Sequence, residues 1–222
     1  MITKIGTIDT ELFEDDVHKI CDILSVTSNF SINFKQYNAG IDIYPSINFS
    51  TNPFLITIYL MEYWNCIYQV SHELLHLAFY EHKHISKNYN TVSCINAMWI
   101  EEIVCEAFSI FCLEKYAFSQ YKYWRGYLNK KFYILNGNIK NQAEINTIEE
   151  LNQRLKGYKD FESRQFIHPI ALQISEIIKS DFNELLYFLN YIDHLEKNRI
   201  SKDFATENKI AKTIYSFQTK LM

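Results

Sequence analysis

The sequence predicts an α+β fold, with a small N-terminal sheet, two buried helices and a mostly helical C-terminal lobe. Three patterns carry that expectation. Apolar residues recur at helical spacing near the N-terminus, short β-prone runs broken by Gly and Pro follow as far as Leu60, and helical periodicity dominates from Glu62 onward.

The first helix is expected over residues 10–24, where Leu12, Phe13, Val17, Ile20 and Leu24 share one face and Asp9 or Thr10 can cap the start. Residues 41–44, 47–49 and 54–60 then read as strands of a sheet of about three, separated by Gly40, Pro45 and the Asn52-Pro53 pair. Residues 62–80 lack Gly and Pro, and place Trp64, Ile67, Val70, Leu74, Leu75, Leu77 and Ala78 as a largely buried helix should. The polar stretch 81–91 reads as a loop. Residues 97–118 are apolar on nearly every side of a helical projection, which predicts the most buried helix of the molecule.

Past Ser119 the chain turns basic and aromatic through Tyr121, Tyr123, Trp124 and Arg125, then polar over 136–146. That polar stretch divides a site-bearing region, 1–135, from a helical C-terminal lobe, 136–222, and the two are expected to form one compact unit. Helical patterns resume over 148–155, 169–178, 182–195 and 207–217.

Composition narrows the function classes. Hydrophobic residues at 48% and charged ones at 22% are globular proportions, and 32 Phe and Tyr supply ample core material. A net charge of −4 gives no field to hold a phosphate backbone, so nucleic acid is not an expected partner. Residues 1–16 carry no basic stretch followed by an apolar one, and no apolar run reaches the ~18 residues that span a bilayer. A cytoplasmic protein without a membrane partner is therefore expected. Five cysteines with no C-x-x-C pair argue against a disulfide framework and a cysteine zinc knuckle, and Cys66, Cys105 and Cys112 read as small hydrophobes.

The motif that carries chemistry is His72-Glu73-Leu74-Leu75-His76, an H-E-x-x-H sequence inside the first buried helix. Helical positions i and i+4 share a face, so both imidazoles can reach one zinc ion at about 2.0–2.1 Å. Glu73 then lies beside the ion, placed to take a proton from water. This composition yields roughly 0.02 such matches by chance. The apolar flanks Val70, Leu74, Leu75, Leu77 and Ala78 also leave few polar partners for two histidines without a metal.

A catalytic zinc needs a third protein ligand and an open position. The second buried helix offers Glu101, Glu102 and Glu106 in a segment otherwise nearly devoid of charge, where buried carboxylates need a metal or a cation. Glu102 and Glu106 are four apart, so one can bind the metal while the other accepts the free N–H of a ligand histidine. The alternative is a buried ion pair with Arg125 or Arg164.

With H-E-x-x-H on one helix and spaced glutamates on the next, the chain resembles the gluzincin metallopeptidases, the thermolysin-like clan, over roughly residues 54–118. The resemblance implies a zincin-like region with His72, His76 and Glu102 as zinc ligands, Glu73 as general base and Glu106 supporting a ligand histidine, with Glu101 in reserve. It implies hydrolysis of a peptide or protein substrate. The supporting carboxylate in that clan is usually Asp, so Glu106 departs by one methylene. The clan also places a histidine donor in its C-terminal lobe, for which His168, or Arg164 beside it, is the candidate here. His82 and His84 read as solvated loop residues. Three rivals stand beside this expectation: a metal-bearing protein without catalysis, which four protein donors would favour; a metal-free helical interaction module in which these side chains form a buried polar network; and metal-dependent hydrolysis of something other than peptide, since fold and site do not fix the substrate.

Overall fold

The computed structural model describes residues 10–36, 45–85, 98–118, 145–156, 161–191 and 199–221. Helix α1 (Thr10–Leu24) buries Phe13, Val17, Ile20 and Leu24, the face its spacing predicts. It ends in a Schellman arrangement: Val26 N–H donates to the Cys21 carbonyl at 3.0 Å and Ser25 N–H to that of Asp22 at 3.2 Å. The turn requires a left-handed residue, and Ser25 occupies it at φ 55°.

Three strands follow, β1 (Phe30–Gln36), β2 (Ser46–Asn48) and β3 (Phe54–Leu60), in the spatial order β1-β3-β2. β1 runs parallel to β3, with Phe30 opposite Phe54 and Gln36 opposite Leu60, and β2 runs antiparallel, with Ile47 opposite Ile56. The central strand buries Ile56, Thr57 and Ile58 in succession, whereas β1 alternates half-buried and exposed residues. That contrast is expected between a strand covered on both faces and one covered on a single face. The sequence reading named β2 and β3 but not β1, whose polar alternate positions Ser31, Asn33 and Lys35 dilute its apolar signal. The strand expected over 41–44 lies outside the described residues.

Helix α2 (Tyr63–Ile85) continues past the expected end, so residues 81–85 are helical rather than loop. A tertiary contact explains the extension: the Glu81 carboxylate accepts from the backbone N–H groups of Thr27 and Ser28, at 3.1 and 2.5 Å, and pins the turn after α1. His82 therefore sits on a helix, while residues 86–91 of the expected loop lie outside the described ones. Near its start α2 is tied to the sheet by Gln69, which accepts from Tyr59 N–H at 2.8 Å and donates to the Tyr59 carbonyl at 3.0 Å. One amide thus pairs with a strand residue as another strand would, and sets the height of the histidine-bearing turns against β3.

Helix α3 (Met98–Tyr116) packs against α2 on one side and α5 (Phe161–Ser180) on another. Its core side chains, from Trp99 through Leu113, are almost entirely buried, as an apolar surface on all sides requires. α4 (Ile148–Lys156) supplies Asn152, whose carbonyl accepts from Trp99 N–H at 3.1 Å, answering one of the N–H groups left over in the first turn of α3.

The sequence placed a helix start at Pro169, yet α5 begins at Phe161 with Pro169 inside it. Proline removes one backbone donor and biases the preceding residue away from helix, but Ile167, His168, Ile170, Ala171 and Ile174 are all buried here. Packing outweighs the local preference. Helices α6 (Asn183–Tyr191), α7 (Lys202–Glu207) and α8 (Lys209–Gln218) complete the lobe. α7 and α8 are capped in turn by Ser201 on Phe204 N–H and by Asn208 on Ala211 N–H. Among the described residues no helix is long and apolar enough to cross a membrane.

Candidate metal centre

Helix α2 carries Tyr68, His72 and His76 four residues apart, a polar stripe on one face of an otherwise apolar helix. α3 faces it with Glu101, Glu102, Cys105 and Glu106. The two helices bring both stripes together inside the core, where His72, Glu73, Glu102 and Glu106 are each no more than 5% exposed.

At the centre His72 Nε2 and His76 Nε2 lie 3.2 Å apart. The Glu102 carboxylate spans them, with Oε2 3.4 Å from His72 Nε2 and Oε1 3.5 Å from His76 Nε2. Donors bound tetrahedrally at 2.0–2.1 Å from one ion stand about 3.3–3.4 Å from each other. The three observed separations bracket that spacing, with one oxygen of Glu102 directed to each imidazole. Zinc fits this nitrogen and oxygen donor set.

The surrounding carboxylates divide the remaining work. Glu101 Oε1 lies 3.1 Å from His76 Nδ1, the contact through which an outer carboxylate orients a ligand imidazole. Sequence spacing pointed to Glu106 for that kind of support and held Glu101 in reserve as a ligand. In the structure Glu106 Oε1 lies 3.1 Å from His168 Nδ1, while Oε2 accepts a hydrogen bond from the Tyr68 hydroxyl. His72 Nδ1 is buried with no hydrogen-bond partner among the described residues.

His168, the candidate donor, lies within α5 and is 7% exposed. Its contact with Glu106 brings it to the helix that carries Glu102, one turn along. Glu73 is buried on α2 one residue beyond His72. Arg125, and the side chain of Arg164, lie outside the described residues.

Cys105 is the neighbour that sequence reasoning set aside. It is fully buried, as a small hydrophobe would be, yet its sulfur forms a group with one ring nitrogen each of His72 and His76 whose members all lie within 4.8 Å of one another. Its position four residues after Glu101 and three after Glu102 was the available signal, because both spacings place it on the donor face of α3. Tyr68 had a similar signal, four residues before His72.

Electrostatics couple these groups. Burial pushes the His76 imidazole down, but Cys105, Glu101 and Glu102 outweigh it and hold the pKa well above the usual histidine value. Burial pushes the Cys105 thiol up to about 12, with His76 pulling the other way. A bound cation takes over the proton's place in such a cluster, since ligation requires neutral imidazole and ionised carboxylate or thiol.

No protein-family model matches the chain, and no curated protein and no solved structure matches it. The likeness to gluzincins therefore rests on the motif residues and their spacing.

Proposed function

We propose that this protein is a zinc-dependent peptidase in which His72, His76 and Glu102 hold the metal and Glu73 is the general base. The observation that carries the reading is the largely buried cluster in which two imidazole nitrogens lie 3.2 Å apart and each lies 3.4–3.5 Å from an oxygen of one carboxylate, built on a helix that also bears Glu73. A zincin-like arrangement of α2 and α3 behind the small sheet belongs to the same proposal.

Zinc, when bound, supplies Lewis-acid chemistry that acidifies water and polarises a carbonyl oxygen at neutral pH. The chain's residues supply the rest. Glu73 takes the proton from the attacking water and returns it to the departing amine. Glu101 orients His76 through Nδ1. Glu106 holds His168, the candidate donor to the oxyanion that develops on the substrate. Burial of the cluster strengthens each of these interactions by excluding bulk water.

The test has two stages. Metal content of purified wild type is compared with that of His76→Ala and Glu102→Gln by native mass spectrometry, with about one zinc per chain expected in the wild type and a loss in both variants. Peptide hydrolysis by Glu73→Gln is then measured against a mixture of quenched fluorescent peptides, where retained zinc with hydrolysis lowered at least 100-fold is expected. A wild type that binds no zinc when supplied with it removes the metal reading and favours the buried-network module. Zinc retained without hydrolysis by the wild type favours the noncatalytic metal protein.

A further inference from the structure

Two observations around the centre are not used by the mechanism above. The first is the Cys105 thiol, fully buried one turn after Glu102 and within 4.8 Å of the His72 and His76 nitrogens. Zinc holds nitrogen at about 2.0–2.1 Å and thiolate sulfur at about 2.3 Å, which sets them about 3.5–3.6 Å apart in a tetrahedron. The sulfur needs at most about 1.3 Å of closure to meet that spacing. The second is His72 itself, 2% exposed, whose Nδ1 has no hydrogen-bond partner among the described residues. That ring is anchored through Nε2, on the side where the other donors gather.

Glu102 lies within 3.5 Å of both histidines, and Cys105, three residues on along α3, lies within 4.8 Å of one ring nitrogen of each, so α3 offers two side chains to the histidines of α2. Four protein donors make a closed site, whereas three leave a position for water. Thiolate is also the softest donor in the cluster, and zinc takes it readily.

We propose that Cys105 is a fourth protein donor to this centre and acts as its latch, closing in the resting protein the position that water must occupy for hydrolysis. The inference rests on the metal reading above. On binding, the thiol S–H bond breaks, its proton passes to solvent, and the sulfur electron pair forms the bond to the metal, with no change of oxidation state.

Cobalt(II) substituted for zinc in the full chain tests this without any substrate. Tetrahedral cobalt gives visible bands whatever its donors, and a cobalt–thiolate bond adds a near-ultraviolet charge-transfer band. The wild type is expected to show both. Cys105→Ala and Cys105→Ser are expected to keep the visible bands and lose the charge-transfer band, while Cys112→Ala keeps both. Visible bands without a charge-transfer band in the wild type, or a charge-transfer band that survives Cys105→Ala, overturns the latch and leaves the three-ligand centre standing. A wild type that retains no cobalt overturns the metal reading and the latch together. Two of the negative outcomes, no charge-transfer band and no bound cobalt, are read from the wild-type spectrum alone, so neither depends on a variant folding.

Discussion

Zinc should raise the melting temperature of the metal-free protein, and Glu102→Gln should remove most of that rise. A ligand bound only by the native state stabilises it by RT ln(1 + [L]/Kd), about 2.7 kcal/mol when free zinc is 100 times Kd. For a chain of 222 residues each kcal/mol moves Tm by roughly 2–4 °C, so the wild type should gain about 5–11 °C. Glu102 bridges the two histidines, one oxygen 3.4 Å from His72 Nε2 and the other 3.5 Å from His76 Nε2. Residues that merely support a ligand cost about 10–100-fold in metal affinity when changed, so loss of the bridging carboxylate should cost at least the upper figure. Free zinc then falls to about Kd or below, the stabilisation drops to about 0.4 kcal/mol or less, and the gain in Tm to under about 2 °C. Glu101→Gln, which strips the support from His76 Nδ1, should fall between the two. Scanning calorimetry at pH 7 on chelator-treated protein, with and without zinc, measures each variant against its own metal-free state. That reference matters because replacing a buried carboxylate also changes the stability of the empty protein. Equal gains in the wild type and Glu102→Gln would refute the assignment of that carboxylate, and no gain in either would refute the centre.

Phe108→Ala should destabilise the protein by about 3–5 kcal/mol, because the ring is fully buried between Phe111 and Phe182 and its removal leaves a cavity. Urea titration with an unchanged slope checks this, and a loss under about 1 kcal/mol contradicts the packing. Ser25→Gly should stabilise by about 1 kcal/mol, since the left-handed residue that ends α1 carries a Cβ and glycine removes that penalty. A lower urea midpoint for the glycine variant would count against the Schellman turn. Alkaline pH should weaken the fold: burial pushes the Cys21 thiol up to about 12 and the Cys112 thiol up as well. The unfolded thiols ionise near pH 9, so this contribution is complete below that pH and is lost as pH rises toward the folded values. Melts at pH 8 and pH 10.5 should show a smaller alkaline loss in Cys21→Ala/Cys112→Ala than in the wild type, and identical losses would refute the assignment.

The sequence by itself determined the elements whose periodicity is strong. α1, β3, the histidine-bearing α2 and the largely apolar α3 follow from spacing that favours a buried arrangement, and H-E-x-x-H places His72 and His76 on one face because 3.6 residues make a turn. The burial of Glu102 and Glu106 was legible too, since charges in an apolar helix have few other places to go. Only the tertiary structure decided what those charges meet. Three carboxylates along one helix look nearly equivalent in a linear sequence. The rotation of α3 against α2 and α5 sends Glu101 to His76, Glu102 to both histidines, and Glu106 to Tyr68 and His168. The same rotation turns Cys105 from core filler into a neighbour of the donors. β1, the extension of α2 to Ile85 and the helix running through Pro169 were hidden for a related reason. Each is held by partners distant in the chain, β3, Thr27 and Ser28, and the packed faces of α3 and α8, whose contribution exceeds a weak or contrary local preference.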